Sequence, residues 1–433
     1  MARPQLRRWL TAAAAKRLAA VAVIGVAGSL AGLTASAASA SGRSTVTLQF
    51  WSTYNTADKE ASTFDNVVIK RFEKENPGIK VKATVYPYAD LLNKYLAAAA
   101  AGNPPDLLRS DIQWVPQLAA QGVVVNVGKL SAFAAIKNNT LPGPLATTHT
   151  HGGYYAFPDD TNTQALFWNK TDFAAAGLSG PPKTLSEMYA DAAKLTNSSK
   201  QQYGLGVDGA DIWNMAPYIW SAGGTFTNSS YTSATGHMNG VNTVAAVTQL
   251  ANLYKAGDIG SDFAGGASAV SGEQGFPKGQ YAMYIDGPWA VPTFATDTPA
   301  PSYGIAPFPT GPRGSISTVG GEDIVIARGG QHITDSEKFA EFLDSSFAQG
   351  AMAAQGDMST EISDSRAEVA RTPYYRVFAK QLKTAQVRPV SQGYSKLDSF
   401  WSNAIGEILA GKTGVSAGLT AAAQQANGAL QGG

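Results

Sequence analysis

The stretch DNVVIKRFEKENPGIKVKATVYP, Asp65–Pro87, changes its periodicity halfway along. Val68, Ile69 and Phe72 recur at helical spacing among charged residues. Asn76-Pro77-Gly78 then stops the helix. Ile79–Val85 reads as a strand. Just before it, STVTLQFWSTYN (44–55) reads as an apolar strand, Val46 to Trp51, running into a polar loop. Strand, helix, strand is a βαβ unit, and the alternation continues. DLLNKYLAAAAAGN is a helix with a Gly-Asn stop. PPDLLRSDIQWVPQLAAQGVVVNV is a short strand, a loop, a helix and an apolar run. This predicts an α/β fold with a mostly parallel sheet.

Near residue 150 the pattern resets. GGYYAFPDDTNTQALFWNK places a polar, turn-rich loop, Asp159 to Thr163, ahead of a new strand, Ala165 to Asn169. Helix and strand signals alternate again as far as GGEDIVIARG, and the C-terminal third is helical. The chain has 433 residues, so two domains are the default. Hydrophobic residues make up 44% and charged residues 15%, which suits a globular protein and not a disordered one.

There is no cysteine, which excludes disulfides, thiolate metal sites and cysteine nucleophiles. Arg3, Arg7, Arg8, Lys16 and Arg17 precede an apolar run, Leu18 to Leu33, and then Ala38-Ser39-Ala40. This is the pattern of a secretory signal peptide over residues 1–40, too short and too weakly apolar for a permanent membrane span. The paired arginines are a hint of twin-arginine export. Without those five cations the formal charge falls from +1 to −4. A mildly acidic mature chain gives no support to nucleic-acid or membrane-surface binding.

In KGQYAMYIDGPWAVPTF, Lys278–Phe294, a strand ends abruptly at Gly287-Pro288 and Trp289 follows. Either the indole plugs the core at a strand-to-helix corner, or it offers a flat apolar face to a ligand. Other motifs are weaker. GLGVDG, Gly204 to Gly209, matches G-x-G-x-x-G, but its glycines lie within a strand and not after one. GVSAG, Gly414 to Gly418, has no strand before it and no histidine after it, so Ser416 reads as a helix N-cap. His149 and His151 have no acid close in sequence, and the pairs Asp159/Asp160 and Glu322/Asp323 carry no spacing that implies catalysis.

Six stretches together resemble the extracellular solute-binding proteins of ABC importers, in the carbohydrate, maltose-binding-protein-like branch. They are FEKENPGIKVK, AAAAAGNPPDLLRSDIQWVPQLAAQGVVVNV, YAFPDDTNTQALFWNKTDFAAAGL, GQYAMYIDGPWA, GIAPFPTGPRGSISTVGGEDIVIA and FWSNAIGEILAGK. The similarity runs over essentially all of the chain after residue 45. One departure is plain: Gram-positive relatives usually carry a lipid-modified cysteine, and this chain has none.

The resemblance implies two discontinuous α/β lobes joined by crossover strands, with ligand held in the cleft between them. The first lobe would take residues 44–158 and 321–358, and the second 159–320 and 359–433. It implies a monomeric, non-enzymatic receptor that captures a carbohydrate, an oligosaccharide in the first instance, and passes it to the permease of an ABC importer. No cofactor, metal or nucleic-acid partner is expected. A secreted carbohydrate-active hydrolase and a receptor for a non-sugar solute are the alternatives.

By the same resemblance Trp289 stacks on a sugar ring, Trp401 matches a second stacking position, and Trp213 lies where another aromatic lines the cleft. A pyranose has faces of C–H groups and a rim of hydroxyls, so polar partners are also needed. The loops at strand ends supply Thr53, Tyr54 and Asn55, then Ser110 and Asp111, then Asp160 and Asn162, and finally Glu322. Asp111 is the foremost charged candidate, since a carboxylate accepts strong hydrogen bonds. It could equally cap the helix that follows it.

Overall fold

The computed structural model describes residues 45–265, 269–296 and 302–432. The export signal expected over residues 1–40 lies outside them.

The chain is helical from Glu60 to Glu75, with a wider π-type turn at Phe64–Ile69. The strands Val46–Ser52 and Ile79–Val85 on either side pair in parallel along their whole length. Leu107–Asp111 joins the other edge of Val46–Ser52, again in parallel. Two further strands complete this first sheet, and both run antiparallel to their neighbours. Glu322–Ile326 lies against Leu107–Asp111, and Phe157–Pro158 lies against Glu322–Ile326.

A second sheet has the order Tyr303–Ala306, Ala165–Asn169, Tyr281–Asp286, Tyr203–Gly206. Only its last pair is parallel. The expectation of a mostly parallel sheet therefore holds for three strands of the first sheet and not for the whole. The physical reason is the route of the chain. Glu322–Ile326 enters the first sheet from the opposite end, on its return from the second, so it cannot run parallel to Leu107–Asp111.

Both sheets are covered on both faces, so the inner strands Tyr281–Asp286 and Glu322–Ile326 are buried nearly end to end, while the edge strand Ile79–Val85 still alternates. Phe50, Phe64, Phe72 and Phe339 pack on one side of the first sheet, and Leu91, Tyr95, Trp114 and Val325 on the other. The second sheet buries Met215, Ile219, Leu397 and Ile405 on one face and Phe167, Phe276, Tyr284 and Phe378 on the other. The C-terminal helices Tyr394–Leu409 and Val415–Gly432 pair with each other and close the first of these faces. That last helix begins at Val415, so Ser416 sits inside its first turn and is not its N-cap.

Between the sheets runs a small third one, in the order Met358–Ser359, Asp160–Thr163, Thr318–Gly320, Gln386–Val387. Its two central strands pair antiparallel, Gly320 opposite Asn162, and carry the chain from one lobe to the other and back. Gly321 follows at φ 136°, and a Cβ there would collide with the Asp160 carbonyl, so the return crossover needs a glycine. Away from this hinge the lobes touch directly. Thr293 Oγ1 donates to Asp58 at 2.9 Å, and Ser395 Oγ donates to Gln117 at 3.0 Å.

His149 and His151 lie in a short hairpin, His149–Thr150 against Gly153–Tyr154. Among the described residues no group of three acidic or histidine side chains could hold a metal ion, and no helix is long and apolar enough to cross a membrane.

Candidate functional site

The lobes enclose a cavity of about 910 Å³, with walls from both and a floor at the hinge. Its second-lobe wall is aromatic. The strand Tyr281–Asp286 ends at Gly287, and the indole of Trp289 folds back over that glycine, where any Cβ would meet its ring. Gly356, at φ 113°, makes room on the other side, since a Cβ there would lie 2.8 Å from the Trp289 backbone nitrogen. Two glycines thus fix the corner and leave the indole only partly buried, facing the cavity.

Trp213 lies in the first turn of the helix Ile212–Ser221, which is capped by Asp211. Its ring centroid is 6.2 Å from that of Trp289, with a 31° tilt. Its Nε1 donates to the buried Gln164 at 3.2 Å, in the amide orientation that satisfies both ends of that side chain.

The first-lobe wall comes from the loops after the first two strands. Tyr54 reaches the cavity but is 3% exposed, packed on Phe64 and beneath the Arg109 guanidinium at 4.3 Å. Burial raises its phenol pKa well above the ordinary value. Asn55 lines the cavity too, but its amide serves its own turn. Oδ1 accepts from Ala57 N–H at 2.8 Å, and Nδ2 donates to Asp58 at 3.2 Å. Thr53 stands beside them in the lining.

The floor is charged. Arg109 contacts four carboxylates: Asp160 at 2.5 Å, Asp159 at 3.0 Å, Glu322 at 3.2 Å and Asp357 at 3.4 Å. Burial opposes the Arg109 charge, but Glu322 and Asp160 outweigh it and hold the pKa above the usual guanidinium range. Arg388 pairs with Asp111 and stacks between Trp213 at 5.1 Å and Tyr394 at 5.6 Å. Three buried polar atoms in this lining lack a partner, Asn162 Oδ1, Asp357 Oδ2 and Arg388 Nε.

Four candidates change role. Trp401 does not reach the cleft. It is fully buried, its ring edge-on to Phe226 at 4.8 Å, because it falls on the core stripe of its helix with Leu397, Ala404, Ile405 and Ile408. Asp160 is 4% exposed and lies beneath the cavity as a counter-ion of Arg109. Burial raises its pKa well above the carboxylate range, with Glu322 adding to the effect. Ser110 is fully buried, and its hydroxyl donates to the Asp111 carbonyl.

Asp111 lines the cavity with its carboxylate already engaged. It accepts from Tyr88 Oη at 2.8 Å, from Gln113 N–H at 2.6 Å, and from Arg388 Nη2 at 3.1 Å to each oxygen. It therefore positions its neighbours and is not a free acceptor. Trp289, Trp213, Asn162, Glu322, Tyr54 and Asn55 all line one cavity.

Tyr86, Tyr88, Arg109, Asn214, Arg388 and Asp398 also line it and had escaped the sequence reading. For Tyr86 and Tyr88 a signal existed: VYPY is a strand end with a proline and aromatics, much like DGPW. Arg388 has none, since its partner Asp111 is 277 positions away.

The chain belongs to the bacterial extracellular solute-binding proteins, whose family model matches residues 57–350. It is 29% identical over 377 residues to a binding protein of Brucella abortus, covering 84% of this chain and 89% of that one. It is 25% identical over 382 residues to the maltooligosaccharide ABC transporter solute-binding lipoprotein of Streptococcus pneumoniae, covering 84% and 85%. The fold matches the GacH receptor of Streptomyces glaucescens, solved unliganded and with acarbose. The TM-score there is 0.81 at 24% identity, covering 90% of this chain and 99% of that one.

Proposed function

We propose that the protein captures a carbohydrate outside the cytoplasm and delivers it to the permease of an ABC-type sugar importer. The observation that carries this reading is the composition of the cleft. Trp213 and Trp289 offer apolar surface for the C–H face of a pyranose. Around them stand polar groups, including the unpartnered Asn162 Oδ1 and Arg388 Nε. A ligand hydroxyl both donates and accepts, so it can complete each of these. The S. pneumoniae relative named for maltooligosaccharides and the acarbose-bound receptor of like fold support the same class.

The finer reading has residues 1–40 directing export before removal, the mature chain acting as a monomer, and the sugar leaving unchanged. Calorimetric titration against mono- and oligosaccharides tests the core of it. A sugar at 100 times its Kd should stabilise the fold by roughly 2.7 kcal/mol. No binding across the panel, or shortened products in proportion to protein, would overturn it.

One observation favours a second reading, a cationic solute. Glu60, Asp211, Glu273 and Asp398 line the cavity and form no ion pair among the described residues. Burial, however, raises the pKa of all four, Glu60 and Asp398 to about 7. A carboxyl that stays partly protonated donates as well as accepts, which suits hydroxyls better than an ammonium group. Tight binding of a polyamine, with no saccharide binding, would reverse the order.

A further inference from the structure

We propose that Asp286 is a positioning residue for Trp289, and that it acts as a protonated carboxyl, bridged to an ionised Asp208 through the hydroxyl of Tyr284. This deepens the carbohydrate reading and rests on it, since it takes Trp289 as a ligand contact.

Asp286 is the last residue of the strand Tyr281–Asp286 and is 6% exposed. Its Oδ1 accepts from the Gly287 N–H at 2.8 Å, the first amide past the strand. That bond fixes the peptide over which the Trp289 indole folds. Asp286 Oδ2 lies 2.8 Å from Tyr284 Oη, and the same hydroxyl lies 2.6 Å from Asp208 Oδ2. A phenol carries one proton, so it donates to only one of these oxygens. Both contacts have the length of a full O–H···O bond, so one of the two carboxyls supplies the second proton. Gly272 holds the arrangement from the side. Its N–H donates to Asp208 Oδ1, and a Cβ there would overlap the Tyr284 ring.

The surroundings decide which carboxyl keeps the proton. Burial first, then the charges of Glu273 and Asp208, raises the Asp286 pKa well above the carboxylate range. Burial raises Asp208 only to about 6, because Tyr284 and Gly272 donate to it, and Asp262 bonds it as well. Burial also holds the Tyr284 phenol above its ordinary range, with Asp286 and Asp208 adding to the effect. At neutral pH Asp286 therefore donates to Tyr284, and Tyr284 donates to Asp208. Without the Asp286 proton, two buried anions would face one hydroxyl, with Glu273 beside them, and the corner that carries Trp289 would lose its support.

The test uses the full mature chain at neutral pH, titrated with maltotriose and with mannotriose. Asp286→Asn keeps an acceptor for the Gly287 N–H and a permanent donor for Tyr284, so it should bind within about threefold of wild type. Asp286→Ala should bind about tenfold more weakly. In a Trp289→Ala background the same Asp286→Ala change should cost nothing further, because it acts through the indole. Asp208→Asn should also lose affinity, since one amide oxygen cannot accept from both Tyr284 and Gly272. Infrared difference spectra of the unliganded proteins should show a carboxylic-acid C=O band in wild type that is missing from Asp286→Asn.

An Asp286→Asn protein as weak as Asp286→Ala overturns the inference. So does unchanged affinity in Asp286→Ala, or a loss there that adds in full to that of Trp289→Ala. An Asp286→Asn change that removes no acid band overturns it as well. That readout needs no sugar, so it decides the proton even where neither trisaccharide binds, a result that would count against the carbohydrate reading instead.

Discussion

The corner at Gly287–Trp289 and the helix Tyr394–Leu409 each carry a tryptophan in the second lobe, in opposite situations. Trp289 stands where regular structure is broken by Gly287-Pro288, and it keeps part of its surface open to the cavity. Trp401 stands within an unbroken helix and is enclosed completely. The helix has no freedom to present Trp401 elsewhere, because its neighbours on the same stripe already face the core. A cleft-facing aromatic at this corner depends on a backbone interruption and not on the aromatic itself.

The largest test of this contrast is Trp401→Ala. It should cost about 3–5 kcal/mol of folding stability, as large-to-small changes in a closed core do. The sugar affinity of the fraction that remains folded should be unaltered. Denaturant unfolding and calorimetry on the same sample measure both, and a large affinity loss with a stable fold would break the comparison. Trp289→Ala should do the reverse. Lost stacking and apolar contact should weaken binding by about 2–3 kcal/mol, with little change in unliganded stability.

Asp398 sharpens the contrast on one helix. It lies three residues before Trp401, at the margin of the same stripe, and lines the cleft. Burial, aided by Asp211, raises its pKa from 3.8 to about 7. Over that interval the folded state holds a proton that the unfolded chain has released. Its contribution is therefore most favourable below about pH 4 and is lost as pH rises towards 7. Asp398→Asn should flatten the fall in stability between pH 4 and pH 7, by roughly 2 kcal/mol once residual water contact is allowed for. A wild-type slope that survives the change would remove Asp398 as its source.

The smallest effect belongs to Thr293, one turn beyond Trp289, whose hydroxyl reaches across the cleft to Asp58. Thr293→Val should weaken the contact between lobes by about 1 kcal/mol. Small-angle scattering should then give the unliganded protein a larger radius of gyration, shrinking back when ligand is added. An unchanged radius would show that this bond does not hold the lobes together.

What could be read from the sequence follows the range of the interactions. The strand-helix-strand unit at 46–85 and the Gly-Pro corner before Trp289 are local patterns, and the structure has both. The core stripe of Trp401 was equally local, since Leu397, Ala404, Ile405 and Ile408 recur with it at helical spacing. Only the family resemblance pointed the other way. Tyr88 was within reach by the reasoning applied to Thr53–Asn55, as a loop after a strand. The engagement of Asp111 by Arg388 and of Asp160 by Arg109 was not within reach. Those pairs are made by the fold, between residues whose spacing carries no period.

The insertion of Glu322–Ile326 between Leu107–Asp111 and Phe157–Pro158 has a consequence for the order in which the chain can fold. The missing strand is made roughly 200 residues after the one it pairs with, so the first sheet cannot be completed until the chain has passed through the second. Until it emerges, Leu107–Asp111 has an unpaired edge and the apolar faces around it stay incompletely covered. The second sheet needs no strand from outside residues 165–306, so its strands can pair while the first sheet still waits, although the helices Tyr394–Leu409 and Val415–Gly432 that cover one of its faces come last. A pulse-labelled hydrogen-exchange experiment should accordingly find Tyr281–Asp286 protected before Val46–Ser52, the reverse of their order in the chain.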